Sequence, residues 1–152
     1  MKTILLFRAV AWEEKDSMGI SMESPVWERV EDWLRRAYLF GGGVQLATGY
    51  RETDSRVRHG VYLGMDANPN QCRMTYLPRE PLGEKTKLME WWEPGDESFR
   101  GTTVFQDHPF DDRTVCRDVE VPVRIFKDFF ERHDLVEPSL NEFLSVWDAM
   151  PR

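Results

Sequence analysis

From Val44 onward the chain reads as a series of short strands, and this run limits the possible folds more than any other feature. VQLATGY (44–50), RHGVYLGMDA (58–67), CRMTYLP (72–78) and KLMEWWEP (87–94) are rich in β-branched, aromatic and aliphatic residues. RETDSR, NPN and REPLGEKT separate them with turn and loop chemistry. Strands joined by such short connections pair antiparallel, because a parallel pair needs a long crossover. KTILLFRAVAW (2–12) is suited to a strand before this meander, and GTTVFQD (101–107) to a short one after it.

Helical spacing occurs on either side of the meander. In PVWERVEDWLRRAYLF (25–40), Val26, Val30, Trp33 and Ala37 line one face, with Trp27, Leu34 and Tyr38 beside them. Ser24 is placed to cap this helix and Pro25 to occupy its first position. Glu31–Arg35 and Asp32–Arg36 are i,i+4 pairs on the outer side, so the arginines have carboxylate partners already. EEKDSMGISME (13–23) reads as a polar connection. Gly41-Gly42-Gly43 ends the helix, and a strand follows, the reverse of a phosphate-binding loop.

The second helix is VPVRIFKDFFERHD (121–134), with Pro122 in its first turn and Val123, Ile125, Phe126, Phe129 and Phe130 forming a broad apolar stripe. EPSLNEFLSVWDAM (137–150) reads as a short terminal helix carrying Leu140, Phe143, Leu144 and Trp147. The expected fold is a single α+β domain over residues 1–152. An antiparallel sheet of about five to six strands packs against two main helices and a short C-terminal helix.

The charge is uneven. The net charge is −7, and residues 80–120 alone hold eleven acidic side chains against five basic ones. Such a field repels nucleic-acid backbones and attracts basic partners. The N-terminal apolar run is broken by Arg8 and precedes no small-residue cleavage site, and no segment has the roughly 18 apolar residues of a membrane span. A cytoplasmic chain with no membrane or nucleic-acid partner is expected, with Cys72 and Cys116 as free thiols without a catalytic task.

FQDHPFDDRTVCRD (105–118) concentrates ligand-type side chains. A hard cation accepts carboxylates, but the glycine and terminal glutamate of a calcium loop are absent here. Zinc sites use Cys/His pairs at short spacing, whereas Pro109 interrupts the long step from His108 to Cys116. The expectation is an Asp-rich loop bent by proline and capped by Arg113, with no metal, no cofactor and no catalytic residue. In MEWWEPGDESF (89–99), Trp91 and Trp92 alternate faces if they lie on a strand, so either a helix or loop covers both indoles, or one enters the core while the other points out among acidic residues. An aromatic anchor in an acidic rim is the composition of a binding hot spot. The expected partner-binding set is therefore Trp91, Trp92, Glu93, Asp96, Glu97, Asp107, Asp111 and Asp112. The alternative is a small-molecule-binding domain or small enzyme using Asp107, His108, Asp111 and Asp112.

SPVWERVEDWL (24–34) and DVEVPVRIFKDFFERHDL (118–135), in this order of elements, resemble small bacterial immunity-type proteins of polymorphic or contact-delivered toxin systems. The second stretch is also similar to an uncharacterised bacterial domain family that ends in such a helix. The matching residues are core-forming, so the resemblance implies a fold and carries no catalytic residue. It implies a non-enzymatic protein that binds and blocks a cognate, basic toxin in the cytoplasm of the cell that makes it.

Overall fold

The computed structural model describes residues 3–13, 16–52, 57–78, 88–95 and 98–145. Strand β1 (Thr3–Glu13) pairs with β2 (Asp16–Glu23) on one side and with β3 (Gly42–Glu52) on the other. The meander continues through β4 (Val57–Asn68), β5 (Gln71–Leu77) and β6 (Met89–Trp91). Strand β9 (Phe143–Ser145) then returns to pair with β6. The result is one seven-stranded sheet in the order β2-β1-β3-β4-β5-β6-β9, and every pairing in it is antiparallel. A separate two-stranded unit joins β7 (Thr102–Phe105) to β8 (His108–Asp111).

Helices α1 (Trp27–Phe40) and α2 (Glu120–Arg132) pack on each other and share one face of the sheet. Alternation decides which strand residues meet them. Val44 and Leu46 of β3, Leu63 and Met65 of β4, and Met74 and Tyr76 of β5 point to the helices and are buried. Val30, Leu34 and Ala37 of α1, with Ile125, Phe126 and Phe129 of α2, close the core from above. Full burial of a side chain the size of Phe126 contributes about 1.5–3 kcal/mol, so this layer dominates stability.

Several local details differ from the sequence expectation. Ser24 does not cap α1. It takes a positive φ of 49°, and its N–H donates to the Phe7 carbonyl at 2.9 Å, so the chain crosses from β2 into the helix by a backbone contact. Val26 occupies the N-cap position instead and is exposed. Arg35 keeps its expected Glu31 partner at 3.0 Å, but Arg36 reaches across to Glu13 at 2.9 Å. Phe130 is only half-buried. Its ring meets Phe7 at 5.4 Å and Trp27 at 5.6 Å, while Phe129 takes the fully buried position. The segment expected as a connection after Glu13 is strand β2, whose Ile20 and Met22 lie opposite Ala11 and Ala9. Of the expected C-terminal helix, the described residues hold a 3-10 turn, Ser139–Glu142, which opens into β9. Trp147 lies outside the described residues.

Two features adjust the sheet. Trp12 and Gly43 are cross-strand partners, and a Cβ on Gly43 would come within 2.2 Å of the indole, so the glycine is what lets the ring lie against β3. Between Ala47 and Gly49 the β3–β4 register shifts. The buried Thr48 hydroxyl oxygen accepts the Val61 N–H there at 3.0 Å, which supplies a partner where the ladder slips.

Candidate functional site

The FQDHPFDDRTVCRD stretch folds as a hairpin followed by a tight turn, not as a loop. Gln106 and Asp107 form the two-residue turn between β7 and β8, with φ of 48° and 65°. Positive φ at both central residues is the geometry that suits the right-handed twist of a hairpin, and Asp tolerates it. Phe105 and His108 flank the turn as the hydrogen-bonded pair, so Val104 and Pro109 form the next, non-bonded pair. The missing N–H of Pro109 therefore costs no ladder bond.

Arginines brace the base of this hairpin. The Asp112 carboxylate accepts from Arg100 Nε at 2.6 Å, from Arg117 Nη2 at 2.7 Å and from the Thr103 hydroxyl. Arg100 also reaches Glu93 at 2.6 Å. Asp111 accepts the Arg113 backbone N–H at 2.9 Å and its guanidinium at 2.7 Å, forming a closed local ring. The hydrogen bonds from Arg117 and Arg100 hold the Asp112 carboxyl well below the usual carboxylate range, and Arg113 lowers Asp111 in the same way. Both acids are committed to cations and neither is placed as a proton donor at neutral pH.

Beneath the hairpin the sign reverses. Arg73 projects from β5 on the face opposite the helices and is buried. Its guanidinium carbon lies 3.7 Å from the centroid of the Phe110 ring, while Nη2 meets Glu90 at 2.5 Å and Nε donates to Thr114 at 3.2 Å. Burial raises the Glu90 carboxyl and lowers the Arg73 guanidinium, and the attraction between them opposes both shifts. Asp66 beside them is also raised by burial. A buried, hydrogen-bonded ion pair thus seats the hairpin on the sheet.

The residues expected to bind a partner are placed as follows. Trp91 and Trp92 are both interior, at 3% and 7% exposure, so both indoles are covered and neither is the outward anchor of the partner-binding set. Trp91 points into the helix-covered core and its Nε1 donates to Glu142 at 3.3 Å. Trp92, just past the end of β6, lies under the Arg113 guanidinium at 5.1 Å. Asp111 and Asp112, expected in the partner-binding set, are instead ion-paired within the chain. Glu93 is exposed but bound to Arg100. Asp107 is exposed at the hairpin tip, and His108 follows it there, also exposed. Asp96 and Glu97 lie outside the described residues. Among the described residues no group of three or more His, Cys, Asp or Glu side chains is arranged to hold a metal ion.

A surface that the sequence reading did not single out adjoins the hairpin. Leu39 and Phe40 end α1 at 53% and 61% exposure, and Val104 of β7 stands at 57%. The β4–β5 turn ties the two places together. The Asn70 N–H donates to the Tyr38 carbonyl at 2.7 Å, and the Asn68 side chain donates to the Val104 carbonyl at 3.0 Å. One signal was available: Leu39 and Phe40 fall off the Val30–Trp33–Leu34–Ala37–Tyr38 stripe, so a helix that buries this stripe leaves both outside.

Fold and site together define an α+β protein with one antiparallel sheet, two helices on one face and a braced hairpin on the other. No family model matches the chain, and neither the curated proteins nor the solved structures compared with it yield a match. Among the described residues no helix is long and apolar enough to cross a membrane.

Proposed function

We propose that this chain is a non-enzymatic binding protein that blocks a basic protein partner, a cognate bacterial toxin, in the cytoplasm of the cell that makes both. One observation carries the reading. Leu39, Phe40 and Val104 are exposed on both sides of a hydrogen-bonded turn, beside a hairpin whose base is braced by ion pairs. Large apolar side chains held in a rigid setting supply binding energy at little ordering cost. Asp107 forms no ion pair among the described residues, and it stands at the turn of the same hairpin. The acidic excess of residues 80–120 supplies the long-range field that steers a positive partner. The resemblance to immunity-type proteins names the kind of partner.

The test uses the tagged chain as bait in cells of the producing strain, followed by binding measurements on the captured protein. A basic protein retained by the wild type and lost with Phe40→Asp is the expected result. Its association rate should fall with salt and fall again with Asp107→Lys. Equal retention by Phe40→Asp, or a partner bound with no salt dependence, would overturn the reading.

A further inference from the structure

We infer that Cys72 and Cys116 are a disulfide-forming pair, closed in the folded protein by a hydroperoxide and opened by a thiol reductant. The two residues are distant in sequence but form an isolated antiparallel bridge. The Cys72 N–H donates to the Cys116 carbonyl at 2.9 Å, and the Cys116 N–H donates to the Cys72 carbonyl at 2.8 Å. Reciprocal bonding of this kind places the Cα atoms about 5.5 Å apart with both side chains on the same face. That separation lies within the range a disulfide spans, so closure needs side-chain rotation and little backbone movement. Both thiols are free and buried. The Cys116 thiol donates to the Asp118 carbonyl at 3.3 Å.

The pair is asymmetric. The contact between the two thiols lowers Cys116 from the ordinary thiol value, while the same contact and burial push Cys72 up. Cys116 is therefore the first nucleophile. Its thiolate attacks one peroxide oxygen, the O–O bond breaks, and a sulfenic acid forms with release of water or an alcohol. Cys72 then gives up its proton and attacks the Cys116 sulfur, displacing hydroxide, which leaves as water. Two thiols lose two hydrogens and the peroxide is reduced. A small uncharged oxidant suits a buried pair that a bulky disulfide reagent reaches only after opening.

The bond would join β5 to the segment between the hairpin and α2. That segment meets β5 through the cysteine bridge and through Arg73 to Thr114, and it meets the chain after β6 through the Glu93 N–H to the Arg113 carbonyl at 2.8 Å. A covalent link there fixes the base of the hairpin.

To test this, native protein is treated with hydrogen peroxide, quenched, and denatured without reductant. Expected are loss of both titratable thiols, a mass lower by two hydrogens, and a Cys72–Cys116 linked peptide, all reversed by dithiothreitol. The Cys116 amide should exchange more slowly after oxidation, and the thermal midpoint should rise. Two persistent thiols, a mass gain from added oxygen, or covalent dimers would each overturn the assignment. Cys72→Ser treated in parallel should stop at a sulfenic acid on Cys116. If that variant does not fold, the peptide map of the wild type decides alone.

Discussion

The guanidinium carbon of Arg73 lies over the Phe110 ring, 3.7 Å from its centroid, and this pair joins the central sheet to the hairpin. The arginine also binds Glu90 and Thr114, so the ring screens a buried charge from water on the one side that protein hydrogen bonds leave uncovered. Phe110→Ala removes the screen and its packing. A loss of about 2–4 kcal/mol is expected from denaturant midpoints. Faster amide exchange should be confined to β7 and β8. Exchange that quickens equally across β3 and β4 would show that the hairpin is not a separate unit.

Asp112 should matter for folding, not for steering a partner. Asp112→Asn weakens two charged hydrogen bonds and should cost about 2–3 kcal/mol at pH 7. The folded-state carboxyl is held below its unfolded value, so its contribution is complete above the ordinary carboxylate range near pH 4 and is lost as pH falls toward its folded value. The gap between wild type and variant should therefore be widest at pH 7 and narrow in acid. A gap that stays constant down to pH 2.5 would remove the ion pairs as its cause.

Thr48→Val tests the register shift in β3. The two side chains have the same shape, but valine leaves the Val61 N–H without the acceptor that Thr48 supplies. Burying an unsatisfied donor costs about 1–3 kcal/mol, visible as a lower thermal midpoint. An unchanged midpoint would mean that water or another acceptor reaches that amide.

Phe126 and Phe130 are four residues apart on α2 and should respond differently. Phe126 is fully enclosed, and its truncation to Ala should cost about 3–5 kcal/mol. Phe130 sits at the margin, sharing ring contacts with Phe7 and Trp27, and Phe130→Ala should cost about half as much. Urea titrations of both variants settle the order, and equal losses would contradict the packing described for α2.

The meander and both helices were legible because burial on one face leaves a periodic trace. Val44, Leu46, Leu63 and Met65 alternate on their strands, and Val30, Leu34 and Ala37 recur at helical spacing. Strand β2 does carry alternation at Ile20 and Met22, but flanking charge and Gly19 masked it. The hairpin was hidden for a physical reason. Its turn uses Gln106 and Asp107 in place of a glycine pair, and Pro109 ordinarily argues against a strand. The fate of the carboxylates could not be read at all. Asp112 meets Arg100 from twelve residues away, and Arg73 meets Glu90 across two strands, so only the fold reveals which charges cancel. The same holds for Cys72 and Cys116, whose pairing no local spacing indicates.

The last lane of the sheet has a kinetic consequence. Strands β3 to β5 follow one another along the chain and zip through short loops, which lowers the entropy cost of forming them. Strand β6 acquires its outer neighbour only when Phe143 arrives opposite Trp91, after the hairpin and α2 have been threaded in between. During synthesis the ribosome releases the meander long before β9, so the nascent chain carries an unprotected β6 border until residues 143–145 emerge. Slow translation or early termination near residue 140 should therefore favour self-association through that border, while the finished chain covers it.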